Sequence, residues 1–230
     1  MSRLQDVKRF YALLDELERR LGGKRTLAAA HRNMTWPQRG VYFFFEAGEE
    51  RSTSGTGARV VRVGAHAVSQ GSKTNLWNRL NNHKGSTNGG NHRGSIFRLH
   101  VGTALIATEA WPGAAATWAV GQSAPPGAKT AERSLELRVN EVLGRMPFLW
   151  LNVDDEPSKD SLRAYLERNS IALLSNANTT PPIDPPSPSW LGLHAASPKV
   201  RQAGLWNIRH TTDTYEPEFL DVLEQHIKNA

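Results

Sequence analysis

An arginine and a histidine stand four residues apart in the stretch Leu76-Trp77-Asn78-Arg79-Leu80-Asn81-Asn82-His83-Lys84. On a helix, residues at that spacing stack one turn above the other. Leu76 and Leu80 form the inner stripe, and Arg79 and His83 flank it, so both reach the rim of a packed face. A guanidinium there can grip a phosphate through two parallel hydrogen bonds, and an imidazole beside it can move a proton. An ordinary solvated helix face is the plainer alternative. A second helical stretch carries Glu132, Glu136 and Glu141 around an apolar stripe of Leu135, Val139, Val142 and Leu143. Glu141 points to solvent, whereas Glu132 and Glu136 fall on or beside the stripe. A carboxylate so placed costs free energy unless it is paired or bound to a cation. Glu132 lies in the first turn, where the helix dipole favours negative charge, and Glu136 lies deeper. Between the two helices the loop Ser86–Gly94 (STNGGNHRG) combines glycines, which permit close approach, with the donors of His92 and Arg93, a composition suited to backbone phosphates or simply to a surface loop.

The elements that must hold these groups follow from periodicity and punctuation. Gly40–Glu46 (GVYFFFE) and Arg59–Gly64 (RVVRVG) read as strands joined by the polar loop Glu49–Ala58, an antiparallel hairpin with a long connection. A polar turn, SQGSK at 69–73, leads into a helix over Asn75–Lys84. Alternation in Ser95–Val101 (SIFRLHV) predicts a third strand, and residues 102–129 an insertion with at most a short helix. A helix follows over Ala131–Leu143, then a strand at Phe148–Val153, a helix from about Lys159 to Arg168, and a further strand at Ile171–Leu174. Leu4, Val7, Phe10, Leu14, Leu17 and Leu21 give an amphipathic helix at the start, stopped by Gly22-Gly23. Thr179–Pro188 is proline-rich and reads as a stiff strap anchored by Trp190 and Leu191. Phe219, Leu220, Leu223 and Ile227 mark one face of a closing helix over about 216–227. Trp36, Trp77 and Trp150 read as core or rim aromatics. Interleaved helices and strands place the chain in the α/β (α+β) class.

Composition narrows the function. The chain has 230 residues, 28 Lys plus Arg against 22 Asp plus Glu, a net charge of +6, and no cysteine. A disulfide framework, a thiolate zinc site and a cysteine nucleophile are thereby excluded, and any metal must be held by oxygen or imidazole, which favours Mg²⁺ on a carboxylate. No apolar run is long enough to span a membrane and the first residues are charged, so a cytoplasmic protein with no membrane partner is expected. The basic surplus leans toward a polyanionic partner.

The order Gly40-Val41-Tyr42, Arg62-Val63-Gly64, then a helix with Leu76-x-x-Arg79-Leu80-x-x-His83, resembles the GIY-YIG nuclease superfamily: a hairpin bearing two tripeptides, then a helix with an arginine. The resemblance covers roughly residues 40–178 and implies a GIY-YIG-like module with a small central mixed β-sheet flanked by helices. Around it lie an N-terminal helical extension (1–39) and a Pro-rich strap with a C-terminal helix (179–230). It further implies an endonuclease that hydrolyses phosphodiester bonds, with DNA as the expected nucleic acid, in restriction, repair or mobile-element work. Mg²⁺, or Mn²⁺, would be held by Glu136, with Glu132 in reserve. Arg79 would clamp phosphate, Tyr42 would orient or deprotonate the attacking water, His83 would assist, and Asn176 would position Tyr42 or the substrate. The family's second tripeptide begins with tyrosine and this one begins with Arg62. That cation could bind phosphate, with His66 supplying the lost proton transfer, or it could mark a catalytically inactive nucleic-acid-binding or protein-interaction module. Lys84, His92, Arg93 and Arg98 complete the expected nucleic-acid surface. A weaker alternative is an HNH-type metal nuclease built on Asn82-His83 and Asn91-His92. A C-terminal Trp206-Asn207-x-x-His210 stretch, shared with uncharacterised proteins of this type, is expected to dock on the module.

Overall fold

A computed structural model describes residues 2–66, 74–125 and 127–229; the turn at 69–73 lies outside them. The chain opens with α1 (Arg3–Leu21), whose first turn is closed by a reciprocal capping box between Ser2 and Gln5 and whose end is a left-handed Gly22. A short β1 (Arg25–Thr26) precedes the hairpin β2 (Gly40–Glu50) and β3 (Ala58–Ala65). Then come α2 (Leu76–Lys84), α3 (Ile96–Thr108), α4 (Pro112–Ala115), α5 (Ala128–Arg145), β4 (Pro147–Asn152), α6 (Leu162–Leu174), α7 (Pro198–Ala203) and α8 (Phe219–Lys228).

The sheet has the order β1-β4-β2-β3, and every pairing in it is antiparallel, so the expected mixed sheet is corrected to an antiparallel one. Helices cover both of its faces, which is why β2 is apolar at consecutive positions. Val41, Phe43 and Phe45 pack with Leu149 and Leu151 under α1, α6 and α8. Tyr42 and Phe44 pack with Phe148 and Trp150 under α2, α3 and α5. Trp36 stacks on Trp77 at 5.4 Å and lies 5.0 Å from Trp150, an aromatic cluster on that second layer.

Two expected strands are helices. Ser95–Val101 alternates like a strand, yet Ser95 caps α3 by accepting the Arg98 N–H, and the buried positions Phe97, Val101, Ala104 and Leu105 recur at helical spacing. The first part of the supposed insertion is the rest of this helix. Ile171–Leu174 is the last turn of α6, which Ser161 caps at its start; Arg3 donates to the carbonyls of Ala172, Leu173 and Ser175 at its end. A short apolar run fits a strand or a buried helix turn equally well by pattern.

The C-terminal strap is fastened at several points. Asp184 accepts the backbone N–H groups of Ser52, Thr53 and Ser54 in the β2–β3 loop. The indoles of Trp190 and Trp206 both donate to Glu46, at 3.0 and 3.2 Å. Trp206 N–H donates to the Val61 carbonyl, and the Asn207 amide bonds both the N–H and the carbonyl of Val63, so the strap seals the otherwise open edge of β3.

Candidate functional site

The two glycines of the hairpin tripeptides have steric causes. A Cβ on Gly40 would stand 2.3 Å from the Leu151 carbonyl oxygen, and one on Gly64 would stand 2.3 Å from the Tyr42 ring and hydroxyl. Tyr42 therefore lies flat beneath β3, fully buried. Its oxygen is 2.9 Å from His83 Nε2 and receives Arg79 Nε at 3.4 Å. With Arg79 donating, the phenolic proton goes to His83 Nε2, and His83 keeps its own proton on Nδ1, 2.7 Å from Ser95 Oγ. Burial, aided by the neighbouring arginines, pushes the His83 pKa well below its usual value, so the ring is neutral. The result is a buried chain Arg79–Tyr42–His83–Ser95. Arg79 alone among these first three reaches the open cavity described next, and the Tyr42 oxygen beside it raises its pKa. Tyr42 and His83 thus orient Arg79; in this geometry neither touches solvent.

Arg62 pairs directly with Phe44, two residues along from the Gly64–Tyr42 pair, so it lies on the same face of the sheet as Tyr42 and Phe44. A β-bulge follows it: Phe45 pairs with Val60, leaving Val61 as the extra residue. Its guanidinium lies 4.7 Å over the Phe97 ring and donates to the Trp206 carbonyl at 2.7 Å. Burial lowers its pKa, with the Tyr42 hydroxyl acting in the opposite direction.

A cavity of about 720 Å³ opens where the end of β3 meets the two helix layers. Arg62, Arg79, Arg93, Lys159 and Arg209 line it, and among the described lining residues Glu167 is the single carboxylate. Glu167 is half-buried on α6, with the Ala65 backbone N–H directed at it. Burial raises its pKa, and the charge of Arg62 opposes that rise. Ala164, Glu167 and Ile171 enter the wall at helical spacing, a signal that splitting α6 into helix and strand conceals. Asn207 and His210 complete the wall from the strap, and the tryptophan-anchored segment that carries them was legible only as a docking stretch.

The carboxylates expected to hold metal face elsewhere. Glu136 Oε1 accepts His92 N–H at 2.7 Å and lies 2.9 Å from His92 Nδ1; Oε2 accepts both Arg98 Nε, at 3.0 Å, and Arg98 Nη2. Burial would raise its pKa, but the His92 hydrogen bonds and the Arg98 charge outweigh it and hold the carboxyl below the usual range. Glu132 makes a two-pronged pair with Arg93 at 2.7 and 2.9 Å. The arginine partner, not a cation site, is what offsets the burial of both groups.

Other expected site residues are structural. Arg98 is fully buried and also donates to the His83 carbonyl at 2.7 Å, so it offers nothing to a nucleic acid. Lys84 donates to the carbonyls of Ala28 and Ala30. Asn176 accepts the N–H of Ile183 in the strap at 2.9 Å and makes no hydrogen bond to Tyr42 among the described residues. His66 Nε2 donates to the Gln38 carbonyl at 3.2 Å, and burial pushes its pKa down to about 4. Arg93 and His92 do border the cavity, His92 with its ring stacked on Trp118 at 3.9 Å. Among the described residues no three His, Asp or Glu side chains gather as a metal-binding group, which leaves the HNH-type arrangement without its ligand set. No helix among them is long and apolar enough to cross a membrane.

A family model described as "GIY-YIG domain" matches residues 1–230. No curated protein and no solved structure matches the chain.

Proposed function

The chain belongs to the GIY-YIG domain family along its whole length, and from that premise we propose that it is a metal-dependent endonuclease that hydrolyses phosphodiester bonds in DNA, in the cytoplasm. The observation that carries the proposal is the cavity: five Lys and Arg side chains around one carboxylate, the charge pattern of a site for a phosphodiester and a divalent cation. A phosphate entering it meets Arg79, whose approach the buried Tyr42–His83 pair fixes, and Arg62, held over Phe97. Two preset guanidinium groups stabilise charge as it develops on the non-bridging oxygens without reorganising at the moment of reaction.

Glu167 fits a magnesium or manganese ion. Hard cations of this kind keep several waters and need only one or two protein carboxylates beside substrate phosphate. Burial disfavours the Glu167 charge, which is the condition under which a cation is welcome there. Bound at Glu167, the ion would supply Lewis-acid stabilisation of the departing oxygen. Glu136 is set aside for that role because both of its oxygens are occupied by Arg98 and His92.

The test is nicking of supercoiled plasmid DNA with Mg²⁺ or Mn²⁺. Cleavage is expected, with loss in Arg79→Ala and Glu167→Gln. Absence of cleavage across a panel of DNA and RNA substrates with either ion refutes the enzyme. A binding-only module is the second reading, favoured by the burial of Tyr42 and Arg62. It predicts salt-sensitive association with no turnover.

A further inference from the structure

In the cavity one task remains without a residue, that of taking the proton from the attacking water. The Tyr42 hydroxyl is sealed beneath Gly64, and the position that opens the second tripeptide is a permanent cation, Arg62. Neither can take a proton from water in the cavity. We infer that His210, oriented by Asp213, is the general base of this site. The inference rests on the nuclease reading above and adds a catalytic residue to it.

Three features of the strap support this. The first is delivery. Trp206 and Asn207 fasten the segment to the β3 edge through Val61 and Val63, so the three residues that follow are fixed relative to the sheet. The strap then turns back at His210, where Asp213 N–H donates to the His210 carbonyl, while the Asn178 side chain donates to the Asp213 carbonyl at 3.2 Å. His210 has a φ of 61°, in the left-handed region that non-glycine residues enter at a cost and that recurs at functional positions. The second is orientation. His210 Nδ1 lies 2.7 Å from Asp213 Oδ2. Nδ1–H donating to that carboxylate fixes the tautomer and leaves the lone pair on Nε2, which has no hydrogen-bond partner among the described residues. This is the arrangement by which a carboxylate holds an imidazole ready to accept a proton and then stabilises the imidazolium. The third is location. His210 shares the cavity wall with Arg62, Arg79 and Glu167. The other histidine on that wall, His92, has its Nε2 buried and its ring covered by Trp118, so it is closed to water.

The step balances as follows. The water oxygen forms a bond to phosphorus, its proton passes to His210 Nε2, and the bond from phosphorus to the departing deoxyribose oxygen breaks. That oxygen then takes a proton from solvent, and His210 returns its proton to solvent.

The experiment compares wild type, His210→Ala, His210→Asn and Asp213→Asn on a fluorescein-labelled DNA that the wild type cleaves, with Mn²⁺ present, alongside thermal melting. Affinity for the same DNA is measured in EDTA. Asn tolerates the left-handed backbone, so His210→Asn keeps the turn. The expected result is a loss in kcat of at least about 100-fold in both His210 variants, the scale of a general base. KM, affinity in EDTA and melting temperature should stay near wild type, and added imidazole should restore part of the His210→Ala rate. Asp213→Asn should lose a smaller factor. A kcat close to wild type in the His210 variants overturns the inference alone. So does a rate loss that parallels weaker DNA affinity with no imidazole rescue, which would make His210 a phosphate ligand. A wild type that cleaves nothing overturns the nuclease reading and this inference with it.

Discussion

Glu136 on α5 and the half-buried Glu167 on α6 can be told apart by replacing each with its neutral isostere. Glu136 receives four donors from two residues, and its partner Arg98 is fully buried. Glu136→Gln removes the charge, strands the guanidinium, and turns one acceptor into a donor facing other donors. Breaking a buried pair on one side costs about 3–5 kcal/mol. At roughly 2–4 °C per kcal/mol for a chain of this size, melting should fall by about 6–20 °C. Its effect on Mn²⁺ binding should be small, because no oxygen of Glu136 is open to a cation. Glu167→Gln should behave in the opposite way. Burial raises the Glu167 pKa, so the folded state holds its charge at a cost that the amide removes. Melting should stay level or rise, while Mn²⁺ binding and cleavage are lost. Differential scanning fluorimetry with Mn²⁺ titration followed by electron paramagnetic resonance reads both effects on the same samples. Wild-type melting with abolished Mn²⁺ binding in Glu136→Gln would return the metal to α5 and refute the assignment to α6.

Acid should destabilise the fold through its buried neutral histidines. Burial pushes His66 and His100 down to about 4. The unfolded chain binds protons near 6.5 and the folded one only near 4, so each histidine's stabilisation is complete above about pH 6.5 and is lost as pH falls toward 4, by up to about 3 kcal/mol per residue. Melting temperatures followed from pH 7 to 4 should show this fall, and His100→Leu should flatten it; an unchanged slope would count against the buried neutral state. Gly64→Ala should cost about 1–3 kcal/mol by overpacking against Tyr42 and should weaken cleavage through Arg79. Urea titration and the plasmid assay measure the two effects, and wild-type stability would show that the ring can move aside. Tyr42→Phe leaves His83 Nε2 and Arg79 Nε without their shared oxygen. The expected cost is about 1–3 kcal/mol with a fall in cleavage that follows the loss of Arg79 alignment, seen as a lower kcat.

What was legible in the sequence was what neighbours along the chain decide. The hairpin glycines, the strand β2 and the helix carrying Arg79 and His83 depend on local sterics and spacing. The placement of Glu132 and Glu136 beside a buried stripe was also legible, because helical periodicity sets it. Which cation would offset that burial was not. Arg98 sits in a heptapeptide that alternates like a strand, and only as a helical residue does it reach across to Glu136. Reading Ser95–Val101 as a strand therefore removed the arginine partner and left a metal as the natural reading of the glutamate. The same dependence bears on Glu167: a helix ended at Arg168 holds Ala164 and Glu167 but cuts both off from Ile171, the next residue of the same wall. The readings of secondary structure and of the site are thus linked: a buried charge found in a sequence identifies a function only after the local geometry of every nearby opposite charge has been fixed. His210 obeys the same logic from the other side. Its spacing from Trp206 and Asn207 is visible in the chain, but its meaning depends on the β3 edge to which those two residues are tied.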